Sequence, residues 1–167
     1  MLAILRALPI PTIIAQIVYR GQPLRILRES LEELVPEPIN LEPLLNDGVL
    51  VIASLTSEAE EAQMVDLAEV LEDDEATTAA LALLSARAMG VDGPSTTKLL
   101  RQRLPDIQLV STPILIKHWF EYSQPPSHTL QAALQHIYLG TGYTPPVHHP
   151  LYPWWQEVLE MTQNEPI

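Results

Sequence analysis

Residues 57–90 have the sequence SEAEEAQMVDLAEVLEDDEATTAALALLSARAMG and predict two consecutive helices. Ser57 and Glu60 have the spacing of a capping box, in which two side chains satisfy backbone N–H groups at a helix start. The second run, residues 75–89, is rich in Ala and Leu on nearly all sides, which is typical of a buried helix. In the first run the apolar residues with helical spacing are Met64, Leu67, Ala68 and Leu71.

Outside this segment, proline and serine mark where further helices can begin, since both residues are favoured at helix starts. One ambiguous segment is 41–55. Glu42 and Pro43 suggest a helix start, whereas Asp47-Gly48 before an apolar run suggests a turn and a short strand. We favour a helix there because no second convincing strand exists to pair with it. The other predicted helices are 24–31, 95–104, 112–122, 127–139 and 151–162.

These elements predict an all-α fold, an irregular or orthogonal bundle of about six to eight short helices. The length of 167 residues suits a single helical domain over 1–167. A proline-punctuated segment at 1–40 is expected to pack on the body, and 140–150 is expected to be an irregular loop.

Composition excludes several classes of protein. The chain contains no Cys, which excludes disulfides, thiolate zinc sites, iron–sulfur ligation and cysteine nucleophiles. No run of 18 residues is continuously apolar, so we expect no membrane span and a cytoplasmic protein. We expect no cofactor.

Charge is distributed in long blocks. The net charge is −12, and residues 29–86 carry fifteen acidic residues without one Lys or Arg. Residues 87–120 carry an excess of basic residues. Blocks of this length either meet in the folded chain or form opposed surfaces.

The segment 84–104, LSARAMGVDGPSTTKLLRQRL, resembles a helix-turn-helix, a DNA-binding motif. Small residues precede a turn glycine, and Ser and Thr open a following basic helix. The resemblance implies a DNA-binding regulator, with polar residues at base edges and basic residues on phosphates. The residues it assigns to nucleic acid are Ser95, Thr97, Lys98, Arg101 and Arg103. Asp92-Gly93-Pro94 is one residue too long for the usual turn, and the net charge disfavours a nucleic-acid partner.

Catalytic and metal-binding patterns are missing from the sequence. It has neither a Gly-x-Ser-x-Gly elbow nor a phosphate-binding loop, so we predict no catalytic residues. All five histidines fall in 118–149, which leaves a small enzyme or metal protein as a weaker alternative. Their spacing does not match a known ligand pattern, so we predict no metal site.

Two surfaces remain as candidates for protein binding. One is the acidic stretch, represented by Glu61, Asp66 and Glu69. The other is the aromatic segment near the end of the chain, because Trp and Tyr dominate interface hot spots. Two adjacent Trp side chains cannot both point inward from one regular helix. The sequence therefore predicts a noncatalytic adaptor, assembly factor or regulator that binds another protein, for example one with a basic surface. The aromatic candidates are Tyr152, Trp154 and Trp155.

Overall fold

A computed structural model describes residues 16–20, 22–28 and 41–160. Seven helices and five short strands are present in these ranges. The strands are β1 (Val18–Tyr19), β2 (Gln22–Leu27), β3 (Leu50–Ala53), β4 (Ala88–Gly90) and β5 (Gln108–Val110). The helices are α1 (Glu42–Asn46), α2 (Glu58–Ala68), α3 (Asp73–Leu84), α4 (Pro94–Arg103), α5 (Thr112–Ser123), α6 (Ser127–Thr141) and α7 (Tyr152–Glu160).

The fold is mainly helical, as predicted, but it is not all-α. β1, β2 and β3 form one sheet in that order, and β4 and β5 form a second. The helix predicted over 24–31 is wrong for 24–27, because 22–27 form strand β2, which pairs antiparallel with β1, and 29–31 lie outside the described residues. The favoured helix over 41–55 is correct for 42–46, which form α1, and wrong for 50–53, which form β3. Its alternative is correct: Gly48, at φ +67°, lies in a turn between α1 and β3.

The chain divides into two compact units. Among the described residues, unit 1 comprises 25–28 and 52–112, and unit 2 comprises 16–20, 22–24, 41–51 and 113–160. The predicted segment 1–40 lies mostly outside the described residues. Residues 142–151, between α6 and α7, form neither a helix nor a strand.

Unit 1 is built on a helical pair followed by a strand–helix–strand motif. α2 packs against α3, and the parallel strands β4 and β5 are connected by α4. Parallel neighbours need such a crossover, which is usually a helix. The buried cluster consists of Leu67, Ala76, Ala79, Ala80, Ala82, Met89, Leu100 and Ile107.

Unit 2 is helical around two tryptophans. Trp119 in α5 and Trp155 in α7 are fully buried, and α6 packs against α7. The indole Nε1 of Trp119 donates a hydrogen bond to Gln16 Oε1 at 2.9 Å. α6 ends at Gly142, whose φ of +67° is the left-handed conformation that commonly closes a helix. Its buried stripe is Leu130, Ala133, Leu134 and Ile137.

Candidate functional site

Helix α2 begins with the predicted capping box, which the structure confirms. The Glu60 N–H donates to Ser57 Oγ at 3.3 Å, and the Ser57 N–H donates to Glu60 Oε2 at 3.0 Å. Glu60 Oε2 also accepts from the Thr56 N–H at 2.7 Å and from the Thr56 hydroxyl. The backbone hydrogen bond from Thr56 is the main cause that lowers the pKa of Glu60 below its usual value of 4.5. The start of α2 is therefore fixed by hydrogen bonds to the Glu60 carboxylate.

The inner face of α2 fixes which side chains point to solvent. Leu67 is buried against α3, and the other three members of the predicted stripe pack against the same cluster. Because a helix turns by about 100° per residue, the opposite face must carry Glu58, Ala62, Val65 and Glu69. These four side chains are exposed. Leu67 therefore sets the orientation of the acidic face.

We define the outer face of α2 as Glu58, Glu61, Ala62, Val65, Asp66 and Glu69. All six are exposed, and Val65 at the centre is 67% exposed. Three of the predicted partner-binding residues therefore lie on one helix surface, surrounding one apolar side chain. Among the described residues, no basic side chain forms an ion pair with the acids of this face.

The acidic surface continues into the start of α3. Glu72, Asp73 and Asp74 are exposed, and Asp73 and Asp74 lie in the first turn, where negative charge is favourable to the helix dipole. Glu75 differs from them, because its Oε1 accepts a hydrogen bond from Thr96 Oγ1 at 3.0 Å. The helix dipole thus accounts for part of this charge, but it does not account for the acids in the middle and end of α2.

The aromatic residues near the end of the chain are mostly packed. Trp155 is fully buried, Tyr143 contacts its ring edge to face at 5.9 Å between centroids, and Tyr152 is half-buried. Trp154 is half-buried, and Lys117 Nζ lies over its ring at 5.3 Å. As predicted from their spacing, the two tryptophans do not both point inward. Trp155 offers no surface to a partner, and part of Trp154 remains accessible.

The segment that resembles a helix-turn-helix has a different structure. α3 ends at Leu84, and residues 88–90 form strand β4 where the motif requires a turn between two helices. The segment is therefore helix, strand, loop and helix, and α4 belongs to a strand–helix–strand motif. Four of the residues assigned to nucleic acid are nevertheless exposed on α4, and the fifth is half-buried. The exposed residues are Ser95, Lys98, Arg101 and Arg103, and Thr97 is half-buried.

A polar contact that the sequence did not reveal joins the ends of β4 and β5. Asp92 follows β4 and accepts hydrogen bonds from the Thr112 N–H at 2.8 Å and from its hydroxyl at 2.6 Å. Thr112 is itself buried at the start of α5. The contact ties the loop after β4 to the first residue of α5. The only signal of this contact in the sequence is the position of Asp92, an acidic residue directly after the short apolar run 88–91.

The described histidines and acids do not converge on a metal site. Among the described residues, which include all five histidines, no group of three or more His, Asp or Glu side chains is placed to hold an ion. His118 stacks on Tyr122 at 6.2 Å between ring centroids, and His149 Nδ1 accepts from the Leu151 N–H at 3.1 Å.

In the described ranges no helix has the length and apolar character needed to cross a bilayer.

Comparison with family models, with curated proteins and with solved structures finds no match to this chain.

Proposed function

We propose that this chain is a noncatalytic adaptor, assembly factor or regulator that binds a basic protein through the outer face of α2. One observation carries the proposal: the exposed acids of that face surround the exposed Val65, and no described basic residue neutralises them. A surface that serves solubility alone usually has charges of both signs interspersed. Here the negative charges are concentrated on one helix surface.

The acids and the apolar centre have separate roles in this proposal. A surface of one charge sign accelerates encounter with an oppositely charged partner, and salt screens that effect. Exposed ion pairs contribute little to affinity, with a median of about 0–1 kcal/mol. Val65 and Ala62 would supply the dry apolar contact that slows dissociation. The partner is therefore a protein with basic residues around a small apolar patch.

A charge-reversal experiment tests the proposal even while the partner is unidentified. The chain is immobilised in native lysate, and captured proteins are identified for the wild type and for Glu61→Lys/Asp66→Lys/Glu69→Lys. The matched control is Asp106→Lys/Glu157→Lys/Glu160→Lys. It reverses three acids that are also exposed, and it changes the net charge by the same amount.

We expect a salt-sensitive protein that is captured by the wild type and by the control but lost from the α2 variant. In kinetics with that protein, the α2 variant should associate more slowly and with a flatter salt dependence. Val65→Ala should instead speed dissociation. Capture of the same proteins by all three chains would overturn the proposal.

The exposed basic residues of α4 favour one second candidate, binding to nucleic acid. Lys98 and Arg101 lie on the same exposed side of the helix, with Arg103 at its end. The same capture experiment includes a nuclease-treated sample, in which proteins bound only through nucleic acid disappear. Signal lost to nuclease and to Lys98→Ala/Arg101→Ala would support this candidate over the acidic-face proposal.

A further inference from the structure

The dipeptide Asp-Gly occurs twice in this chain, as Asp47-Gly48 and as Asp92-Gly93. The backbone after an Asp rearranges most readily when the next residue is Gly, because glycine has no side chain to shield its nitrogen or to restrict its backbone angles. The two pairs have the same intrinsic chemistry, but their surroundings in the fold differ. Their comparison therefore indicates which of the two positions is open to modification.

Asp47-Gly48 lies in the turn between α1 and β3, where both residues are exposed. A side-chain carbon added at Gly48 would meet no atom within 4 Å. Among the described residues, none donates a hydrogen bond to the Asp47 carboxylate. α1 has five residues, and a helix that short has little stability of its own. The turn is therefore accessible to water and weakly held.

Asp92-Gly93, in contrast, is held in place. Asp92 is half-buried, and its two carboxylate oxygens accept hydrogen bonds from the N–H and the hydroxyl of Thr112. Gly93 begins α4, and a carbon added there would meet Thr96 Oγ1 at 3.3 Å. A carboxyl group bound through both oxygens cannot turn toward the nitrogen of the next residue without losing those bonds.

We propose that Asp47 is a site of spontaneous isoaspartate formation and that the contact with Thr112 protects Asp92 from the same reaction. The Gly48 backbone nitrogen attacks Cγ of the protonated Asp47 side chain and forms a new N–C bond. The side-chain hydroxyl leaves with the amide proton as water, which gives a five-membered succinimide ring.

The ring then opens by hydrolysis. Water adds to the backbone carbonyl carbon of residue 47, the bond from that carbon to the Gly48 nitrogen breaks, and the nitrogen regains its proton. The chain now continues through the former side chain, which makes residue 47 an isoaspartate. One water molecule has left and one has entered, so the reaction needs no other reagent.

The folded turn sets the rate of this reaction. Ring closure requires the Gly48 nitrogen to lie on the same side as Cβ of Asp47, whereas the Asp47 ψ of −1° places it beside the nitrogen of Asp47 itself. The turn must therefore open and release the hydrogen bond from the Gly48 N–H to Leu45 O, which is 3.1 Å long. Exposed segments with few buried contacts open far more easily than the whole chain unfolds.

Isoaspartate would alter the turn in two ways. It adds one methylene group to the backbone between Leu44 and Leu50, both of which are buried, so the modified chain should be less stable. It also leaves a free α-carboxylate at the surface, the group that isoaspartyl-specific carboxyl methyltransferases esterify. The inference is independent of the proposed function, because the turn contains none of the acids of α2.

Incubation of the whole chain at mildly acidic pH and physiological temperature tests the proposal. Isoaspartate is located by peptide mass spectrometry after digestion with a protease that cleaves before Asp but not before isoaspartate. Methyl transfer by an isoaspartyl methyltransferase provides a second readout. In the folded chain, Asp47 should be converted several-fold faster than Asp92. In concentrated urea the two rates should converge, because both dipeptides are then exposed.

Thr112→Val tests the protection of Asp92. The substitution removes the hydroxyl that donates to Asp92 and nearly preserves the shape of the buried side chain. Isoaspartate at Asp92 should form several-fold faster than in the wild type, while the rate at Asp47 should not change. The rate at Asp47 is the control for folding, because general unfolding would accelerate the reaction at both positions.

Asp47→Glu is the control for the chemistry. Glutamate would have to form a six-membered ring, which closes far more slowly, so methyl transfer to the folded chain should fall to background. The proposal would be overturned by equal conversion of Asp47 and Asp92 in the folded chain, or by no conversion of Asp47 there while the unfolded chain reacts. A difference that persists in urea would also overturn it, as would a Thr112→Val chain in which Asp92 reacts no faster.

Discussion

Units 1 and 2 differ both in the size of their buried side chains and in the charge of their outer helices. In unit 1 the central helix α3 buries four alanines, while α2 outside it carries dense negative charge. In unit 2 two tryptophans are fully buried, while α6 outside them has no charged residue. Small buried side chains let neighbouring backbones approach closely, whereas large ones fill the space between elements that lie further apart. Unit 1 should therefore be sensitive to added volume, and unit 2 to removed volume.

The largest loss of stability should come from removing side-chain volume in the interior of unit 2. Trp155→Ala is expected to lower the free energy of unfolding by about 3–5 kcal/mol, because it leaves a large cavity in a packed interior. The measurement is a urea titration followed by circular dichroism. Trp154→Ala is the control, since it removes a half-buried ring and the contact with Lys117, and it should cost clearly less.

Trp155 also allows the packing contribution to be separated from hydrogen bonding. Its indole Nε1 is buried and has no hydrogen-bond partner among the described atoms. Trp155→Phe removes this N–H together with part of the ring, so it should cost much less than Trp155→Ala. If the two substitutions cost the same, volume is not what the tryptophan supplies.

An intermediate loss of stability should come from adding side-chain volume in the interior of unit 1. Ala79 is fully buried in α3, so Ala79→Leu is expected to destabilise by about 1–3 kcal/mol through overpacking. Ala62→Leu on the exposed side of α2 is the control, and it should change stability by no more than about 0.5 kcal/mol. Equal tolerance at the two positions would contradict the view that unit 1 is closely packed around alanine.

The same contrast explains which elements could be predicted from the sequence. Helices with their own start signal and a periodic apolar stripe were predicted well, as at Ser57 with Glu60 and in the α6 stripe ending at Ile137. These signals are local, so they do not depend on how the rest of the chain folds. The acids of α2 could likewise be placed on an exposed surface from spacing alone.

Strands were predicted poorly because they depend on partners distant in sequence. The sequence favours a helix over 49–53 only because it shows no convincing strand to pair with this run, and that strand is β2. β4 has three residues and became part of a long predicted helix, since Ala and Met favour helix locally. Its pairing with β5 overrides that preference and removes the helix-turn-helix. The bond from Thr112 to Asp92 joins residues twenty positions apart, which periodicity cannot reveal.

The smallest change in stability concerns the acids of α2. It distinguishes an acid that stabilises the helix from acids that are available to bind a partner. Glu60 is the one acid of α2 whose carboxylate is held by several hydrogen bonds, and its folded pKa is lowered chiefly by the Thr56 N–H. A lowered folded pKa contributes stability that is present above the unfolded value near 4.5 and is lost as the pH falls through the folded value. Glu60→Gln keeps an acceptor for the capping box but has no charge to titrate.

The melting temperature of Glu60→Gln should therefore lie slightly below that of the wild type at neutral pH, and the gap should close as the solution is acidified below the usual range of Glu. The gap should also narrow in salt, because the group is at the surface. Glu61→Gln, one position away and without such hydrogen bonds to the described residues, should show a smaller gap at neutral pH. If Glu61→Gln behaves like Glu60→Gln, the acids of α2 act through general charge and not through the capping contacts. A stability role confined to Glu60 would instead leave Glu61, Asp66 and Glu69 without a structural task, as expected of residues that bind a partner.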